Sequence, residues 1–299
     1  MTADRPSPES LRDKLVQDLR LEATDDPDRF VGQNVYQPFG RVFGGQVLGQ
    51  ALMAAGRTVE PDRAPHSLHA YFLRPGDPSV PIEFAVERLR DGRSFSARRT
   101  HALQHGRPIL SMIASFQVPA DGVEHADPRP DAPAPEDVPT TAQVLAGVDH
   151  PAADYWSFSR PMDIRNVDEP VFLRPAVDRS PSGSVWLRTT AQLPDEPLLH
   201  AAVLAFASDY SLLESLLRRH GVAWSHPGLK VASLDHAMWF HRPVRADGWL
   251  LYSHHSPSAS SARGLVQGSM FDTDGRLVAT VAQEGMIRLT SGTSSSPSA

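Results

Sequence analysis

The sequence predicts an α+β protein built from two copies of one unit, a long helix laid against a curved antiparallel sheet. Three observations carry that reading. Between Val118 and Thr141, "VPADGVEHADPRPDAPAPEDVPTT" crowds Pro, Asp and Ala together, and neither helical nor strand periodicity survives. On its two sides the chain repeats itself: Arg74-Pro75 and Arg242-Pro243 stand 168 residues apart, Ser-Ala-Arg triplets ending at Arg98 and Arg263 stand 165 apart, and Gly106-Arg107 and Gly275-Arg276 stand 169 apart. Each side also has one apolar helix followed by strand-like runs separated by turn residues. The chain therefore divides into a first unit over 1–117, a Pro-rich linker over 118–150, and a second unit with a short flexible tail over 151–299. A period this long is a duplicated domain rather than a solenoid repeat.

In the second unit the segment "DEPLLHAAVLAFASDYSLLESLLRRHG" predicts one helix. Pro197 fits its first turn, Arg218, Arg219 and His220 suit its negative end, and Gly221 stands where a left-handed cap belongs. From Leu198 to Ala207 it is apolar all round except at His200, which predicts burial. In the first unit "FGGQVLGQALMAAG" takes the same part, with Gly45 and Gly49 one turn apart so that the backbone can approach a covering sheet. The strands of the first unit are "SLHAYFLR", "PIEFAVERLR", "SFSARRTHALQ" and "PILSMIASFQV". Those of the second are "SLDHAMWFHRP", "WLLYSHHS", "ARGLVQGSMF" and "RLVATVAQEGMIRL". The last two runs of each unit are long and joined by tight turns, so the sheets are antiparallel.

Composition excludes several function classes. With 40% hydrophobic and 21% charged residues and a formal net charge of −6, the chain lacks the basic footprint of a nucleic-acid binder. No cysteine is present, which removes disulfides, thiolate metal sites and a cysteine nucleophile, and suits a reducing cytoplasm. The polar start is unlike a signal peptide, and no run reaches the ~18 apolar residues of a membrane span.

A phosphate-cradling Gly-rich loop, a His-Glu-x-x-His motif and a Gly-x-Ser-x-Gly elbow are all missing. Thirteen histidines raise the possibility of a metal, but no pair has convergent carboxylates at ligand spacing, and His236 and His241 fall on opposite faces of their strand, so no metal is expected. Asp209 is sharper. It follows "LLHAAVLAFAS" on the buried helix, where an ionised carboxylate is costly unless paired or hydrogen-bonded. Ser233 shares a strand face with Asp235, Ala237 and Trp239 under period-two alternation, and Gln283 shares one with Leu277, Ala279 and Val281. Each is compatible with a structural role. Together a carboxylate, a hydroxyl and a carboxamide could hold a water molecule and take its proton.

The motifs "FGGQVLGQAL", "HSLHAYFLRPGD", "LRDGRSFSARR", "ASDYSLL", "LDHAMWFHRP", "WLLY", "SASSARG" and "TVAQEGMIR", in order from about Phe30 to Arg288, resemble the acyl-CoA thioesterase II family, the TesB-like double hot dog thioesterases. The resemblance implies two fused hot dog units and hydrolysis of acyl-CoA, of medium to long chain, to CoA and a carboxylic acid. It implies a catalytic set of Asp, Thr or Ser, and Gln, falling here on Asp209, Ser233 and Gln283. His66, Gly45 and Asp235 are the candidate substrate contacts, "MWF" (238–240) is a candidate wall of the acyl tunnel or part of the core, and a helix-start amide is the natural oxyanion donor. The expected partner is the acyl-CoA substrate, with CoA part of the substrate and no separate cofactor, no nucleic acid and no membrane, in a cytoplasmic protein that can pair into dimers or tetramers. Two alternatives stay open: a non-catalytic acyl-CoA sensor, and a hot dog enoyl-CoA hydratase using an Asp and His pair.

Overall fold

A computed structural model describes residues 5–35 and 40–290. Helix α1 (Pro8–Leu19) and strands β1 (Glu22–Ala23) and β2 (Arg29–Gly32) precede α2 (Gly44–Gly56). Strands β3 (Ala64–Phe72), β4 (Ile82–Asp91), β5 (Phe95–Gln104) and β6 (Arg107–Gln117) complete the first unit. After the linker come short helices α3 (Thr141–Val144) and α4 (Pro151–Asp154), a π-helical turn over Tyr155–Ser159, and strands β7 (Met162–Asn166) and β8 (Ser182–Thr189). The second unit continues with α5 (Pro197–Ala207), α6 (Glu214–His220), β9 (Leu229–Ser233), β10 (Asp235–Phe240), β11 (Leu250–Ser260), β12 (Arg263–Asp272) and β13 (Leu277–Leu289). Among the described residues no helix is long and apolar enough to cross a membrane.

The strands form one antiparallel sheet in the order β1-β2-β4-β5-β6-β3-β10-β13-β12-β11-β8-β7, with β9 on β13. The two units meet where β3 pairs with β10, and Ala237 lies opposite His69. Those two residues are themselves 168 apart, so the local two-fold axis relating the units passes through this pair. Sheet register then fixes the correspondence of the strands around the site. Pro65, Leu68, Ala114 and Phe116 of the first unit stand where the second has Ser233, His236, Gln283 and Gly285. Arg98 lies opposite Ala114 and Val266 opposite Gln283, so the counterpart of Arg98 is Val266. The Ser-Ala-Arg match at 165 is thus three residues out of structural register, although the Arg-Pro and Gly-Arg matches hold. Gly106 and Gly275 both sit at positive φ in hairpin turns, the conformation for which glycine is suited.

Both central helices lie on the inner face of the sheet, buried in one core with Leu48, Leu52, Leu204 and Phe206 fully inaccessible. Helices α2 and α5 run antiparallel, and Gly45 and Gly49 of α2 face the backbone of α5 rather than the sheet. A Cβ on Gly45 would stand 2.2 Å from the Phe206 carbonyl oxygen, and one on Gly49 would stand 2.9 Å from that of Ala202. Helix-to-helix contact, and not approach to the covering sheet, is what the small residues permit.

The predicted single helix of the second unit is broken between Ala207 and Glu214. Ser208 Oγ lies 2.8 Å from the Ala205 carbonyl, and tighter bonds from Tyr210 N–H to Ala207 and Glu214 N–H to Ser211 carry the chain through turns. Gly221 ends α6 in the left-handed region with φ 63. Part of the linker is ordered against the outer face of the second unit, where Val138 joins Trp186, Trp249, Leu251 and Phe271 in a separate cluster and Trp186 Nε1 donates to the Pro133 carbonyl.

Candidate active site

Asp209 lies just beyond the last turn of α5, where antiparallel packing brings it to the first turn of α2. Gly45 N–H donates to its Oδ2 at 2.9 Å. The other carboxylate oxygen, Oδ1, accepts from Gln283 Nε2 at 3.1 Å and from Ser233 Oγ at 3.4 Å, and Gln283 Nε2 stands 2.8 Å from Ser233 Oγ. Burial is the dominant influence on this carboxyl and pushes its pKa up to about 6; the Gln283 amide, the Gly45 N–H, the Ser233 hydroxyl and the Arg41 charge pull the other way. The helix end supplies a positive dipole at the same point. Gly44 is needed there for room, since a Cβ on it would meet Asp209 Oδ2 at 2.7 Å.

Ser233 reaches the carboxylate because its strand is bulged. Ser233 pairs with Gly285 and Ala237 with Ala282, a one-residue shift that leaves Leu234 as the extra residue. Leu234 N–H donates to the Glu284 carbonyl, and Glu284 N–H donates to Asp235 Oδ1 at 2.7 Å, which ties the bulge down. The period-two reading that placed Ser233 on the face of Asp235, Ala237 and Trp239 is therefore wrong. Ser233 points inward with His236 and Gln283, while Asp235 and Trp239 point outward. Asp235 supports the bulge from the far side of the sheet.

The aromatic run divides in the same way. Met238 is core, Phe240 packs against it, and Trp239 is 36% exposed on the outer face with His69 edge-on to its ring. Trp239 thus forms no part of a tunnel wall. His66 occupies the corresponding bulge of β3, bonds Ser115 Oγ at 2.8 Å and packs its edge on Phe95; it is absent from the cavity that Asp209 faces. Among the expected substrate contacts only Gly45 touches the Asp209 carboxylate.

That cavity, of about 810 Å³, opens between the units. Asp209, Ser233 and Gly44 lie on its wall, Arg41, Arg74 and Lys230 also line it, and a further part is walled by Tyr155, Trp156, Phe172, Tyr210, Leu213 and Trp224. Tyr210 stacks on Phe43 at 4.6 Å between ring centres. Sequence reasoning missed this wall, although "YWSF" at 155–158, unusually aromatic just after a polar linker, was its signal. Buried Glu214, which accepts from Asn166 at 3.0 Å, also lines the cavity, and burial pushes its pKa up to about 7. Among the described residues no group of three or more His, Asp or Glu could hold a metal ion.

Two hot dog units sharing one sheet, with a hydrogen-bonded cluster of carboxylate, hydroxyl and carboxamide in only one of them, define the class: a double hot dog protein. Comparison with known proteins gives the family. Residues 34–117 match the acyl-CoA thioesterase N-terminal domain and residues 163–286 the acyl-CoA thioesterase family. The chain is 39% identical to acyl-CoA thioesterase 2 of Haemophilus influenzae, over 92% of this chain and 96% of that protein. It is also 39% identical to human acyl-coenzyme A thioesterase 8, over 94% and 91%. The crystal structure of acyl-CoA thioesterase II TesB2 from Mycobacterium marinum superposes with a TM-score of 0.77 at 43% identity, covering 93% of this chain and 99% of that one. The chain belongs to the acyl-CoA thioesterase family.

Proposed function

We propose that the protein hydrolyses medium- to long-chain acyl-CoA with a water molecule activated by Asp209 and held by Ser233 and Gln283. The observation that carries this reading is the convergence of the three side chains, from just beyond α5, from β9 and from β13, within 3.4 Å of one another, with Asp209 and Ser233 on a cavity wall and Gln283 behind them. Asp209 takes a proton from the water as its oxygen attacks the thioester carbonyl. The tetrahedral intermediate collapses, the C–S bond breaks, and the CoA thiolate recovers the proton, giving one carboxylic acid and one CoA. No covalent enzyme intermediate and no separate cofactor is involved, and CoA enters only as part of the substrate. The positive end of α2 favours the charge on Asp209 and on the developing oxyanion.

The apolar and aromatic wall of Tyr155, Trp156, Phe172, Leu213 and Trp224 suits an acyl chain, and the guanidinium and ammonium groups of Arg41, Arg74 and Lys230 suit the phosphates of CoA. Against enoyl-CoA hydration stands the position of His236, which bonds Gln283 and Ser208 and not Asp209. Against a purely binding role stands the intact set of three. The deciding assay measures CoA release from decanoyl-CoA and palmitoyl-CoA by the wild type and by Asp209→Asn. Hydrolysis of either substrate that falls at least ~100-fold in the folded variant supports the reading. Binding without hydrolysis by the wild type, or equal activity in both proteins, overturns it.

A further inference from the structure

We propose that His236 is a positioning residue: its imidazole locks the Gln283 carboxamide in the one orientation that turns the amide NH2 toward Asp209 and Ser233. This rests on the Asp209-Ser233-Gln283 reading and adds a fourth member to it, acting from behind.

Gln283 is only 1% exposed on the inner face of β13, and its two ends meet different partners. Nε2 faces Asp209 Oδ1 and Ser233 Oγ; Oε1 lies at hydrogen-bonding distance from His236 Nδ1. A carboxamide oxygen only accepts, so Nδ1 carries the hydrogen and donates. In a neutral ring Nε2 is then an acceptor, and it faces the Ser208 hydroxyl at 2.9 Å. Burial holds the ring neutral, lowering its pKa to about 4. The donors therefore run from His236 Nδ1–H to Gln283 Oε1 and from the Gln283 NH2 to Asp209 and Ser233, while the one Ser208 hydrogen has two acceptors in reach, His236 Nε2 at 2.9 Å and the Ala205 carbonyl at 2.8 Å.

The lock matters because Asp209 changes its protonation in each turnover. While Asp209 is ionised, a flipped amide would set oxygen against carboxylate and is excluded. Once Asp209 has taken the water's proton, its O–H can donate, and a flipped Gln283 finds a partner there. The imidazole is what still opposes the flip, because a reversed amide would turn N–H against N–H until the ring hydrogen moved from Nδ1 to Nε2. Ser208 and Asp209 are neighbours at the break after α5, so the same turn anchors both ends of this hydrogen-bonded chain. The first unit has Leu68 and Ala114 at the corresponding positions, both fully buried.

The test is a kinetic cycle on the full chain. His236→Leu installs the side chain of the corresponding first-unit position and removes the donor. His236→Asn keeps an N–H close to the Nδ1 position. Each is made alone and with Gln283→Ala, with folding checked by circular dichroism and thermal midpoint. His236→Leu is expected to lower kcat roughly 10- to 100-fold with KM within about 2-fold, the size expected when a reacting group is misplaced. His236→Asn is expected to recover most of that loss, and His236→Leu is expected to cost nothing further in the Gln283→Ala background. If His236→Leu does not fold, His236→Gln replaces it, since its amide reaches toward Ser208 and leaves Gln283 unheld. Unchanged kcat, equal losses in the Asn and Leu variants, or the same loss with and without Gln283 would overturn the proposal. A full loss in Asp209→Asn beside any of these results leaves the water-activation reading standing and removes only His236 from it; retained activity in Asp209→Asn removes that reading itself.

Discussion

The two units share one bulged strand and use it for opposite ends. In the first, Pro65, Leu68, Ala114 and Phe116 surround the bulge; in the second, the same positions hold Ser233, His236, Gln283 and Gly285. Phe116 is wholly inaccessible and fills its half of the core, whereas Gly285 leaves space that the cavity-lining Leu213 approaches to within 2.9 Å of where a Cβ would stand. The backbone device that aims a side chain inward is present twice. Only one copy is loaded with this hydrogen-bonded set, and there the turn after the central helix brings an Asp against the bulged strand. Hot dog architecture thus provides the aim, and side-chain choice at a handful of positions provides the chemistry.

Removing the carboxylate breaks this contrast most severely. Asp209→Asn is expected to lower kcat by ~100-fold or more with little change in KM, measured by steady-state CoA release. The wild-type pH profile sharpens the assignment: kcat/KM should fall tenfold per unit below about pH 6, as the base takes up a proton. The stability consequence has the opposite sign. A carboxyl whose folded pKa is raised from 3.8 binds its proton more tightly in the folded state, so the cost of the charged form is present above about pH 6 and is relieved as pH falls toward 3.8. Asp209→Asn should therefore melt no lower than the wild type at pH 7. A fall of several degrees would show the carboxylate to be a structural group.

Converting Gln283 to the alanine of the first unit comes next. Gln283→Ala removes one positioned donor and leaves His236 without its acceptor, and kcat is expected to fall ~100-fold. Gly45→Ala attacks the contact between the units instead. Its Cβ would stand 2.2 Å from the Phe206 carbonyl, so the helices must part, at about 1–3 kcal/mol of stability and with loss of the Gly45 N–H bond to Asp209. Thermal melting reads the first effect and kcat the second; an unchanged midpoint would mean that α2 and α5 are free to separate.

Ser233 tests how much of the set depends on a hydroxyl alone. Ser233→Ala should cost roughly 10-fold in kcat, since Gln283 and Gly45 still hold Asp209. Ser233→Thr keeps the hydroxyl and stiffens its rotamer, and is expected to stay within about 3-fold of wild type. A Thr variant as poor as Ala would show that the pocket has no room for the methyl.

Most of this architecture was legible in the sequence where the pattern was long. The strands β3 to β6 and β10 to β13, Gly221 and the Arg-Pro repeat all follow from periodicity and turn chemistry. Strands toward the two ends of the sheet escaped: β2 has four residues and β7 five, so their neighbours rather than their own sequence fix them, and the eight-residue β8 beside β7 went unread with them. Two local irregularities hid the geometry of the site. The helix break at Ser208 looks like helix because Leu212, Leu213, Leu216 and Leu217 keep a helical apolar spacing, and the bulge at Leu234 reverses a face assignment without any glycine or proline to announce it. Asp209, Ser233 and Gln283 were found regardless, because residue type and family resemblance are indifferent to one residue of register. His66 and Asp235 were expected at the substrate and lie elsewhere, and the wall at Tyr155 and Trp156 was missed, because each depends on which way a side chain points.

His66 provides the smallest effect and the cleanest control on the asymmetry of the units. It stands at the bulge position corresponding to Leu234, and its ring bonds Ser115 and packs on Phe95, away from the cavity. Burial lowers its pKa, and no carboxylate is bonded to it. His66→Ala should remove one partly exposed hydrogen bond, worth about 1 kcal/mol, and lower the thermal midpoint slightly. It should leave kcat and KM within about 2-fold of wild type for both decanoyl-CoA and palmitoyl-CoA. A tenfold rise in KM would return His66 to the substrate path and require the first unit to contribute a polar contact; a tenfold fall in kcat would mean that the corresponding bulge also aims chemistry, and that the division of labour between the units is less complete than their side chains imply.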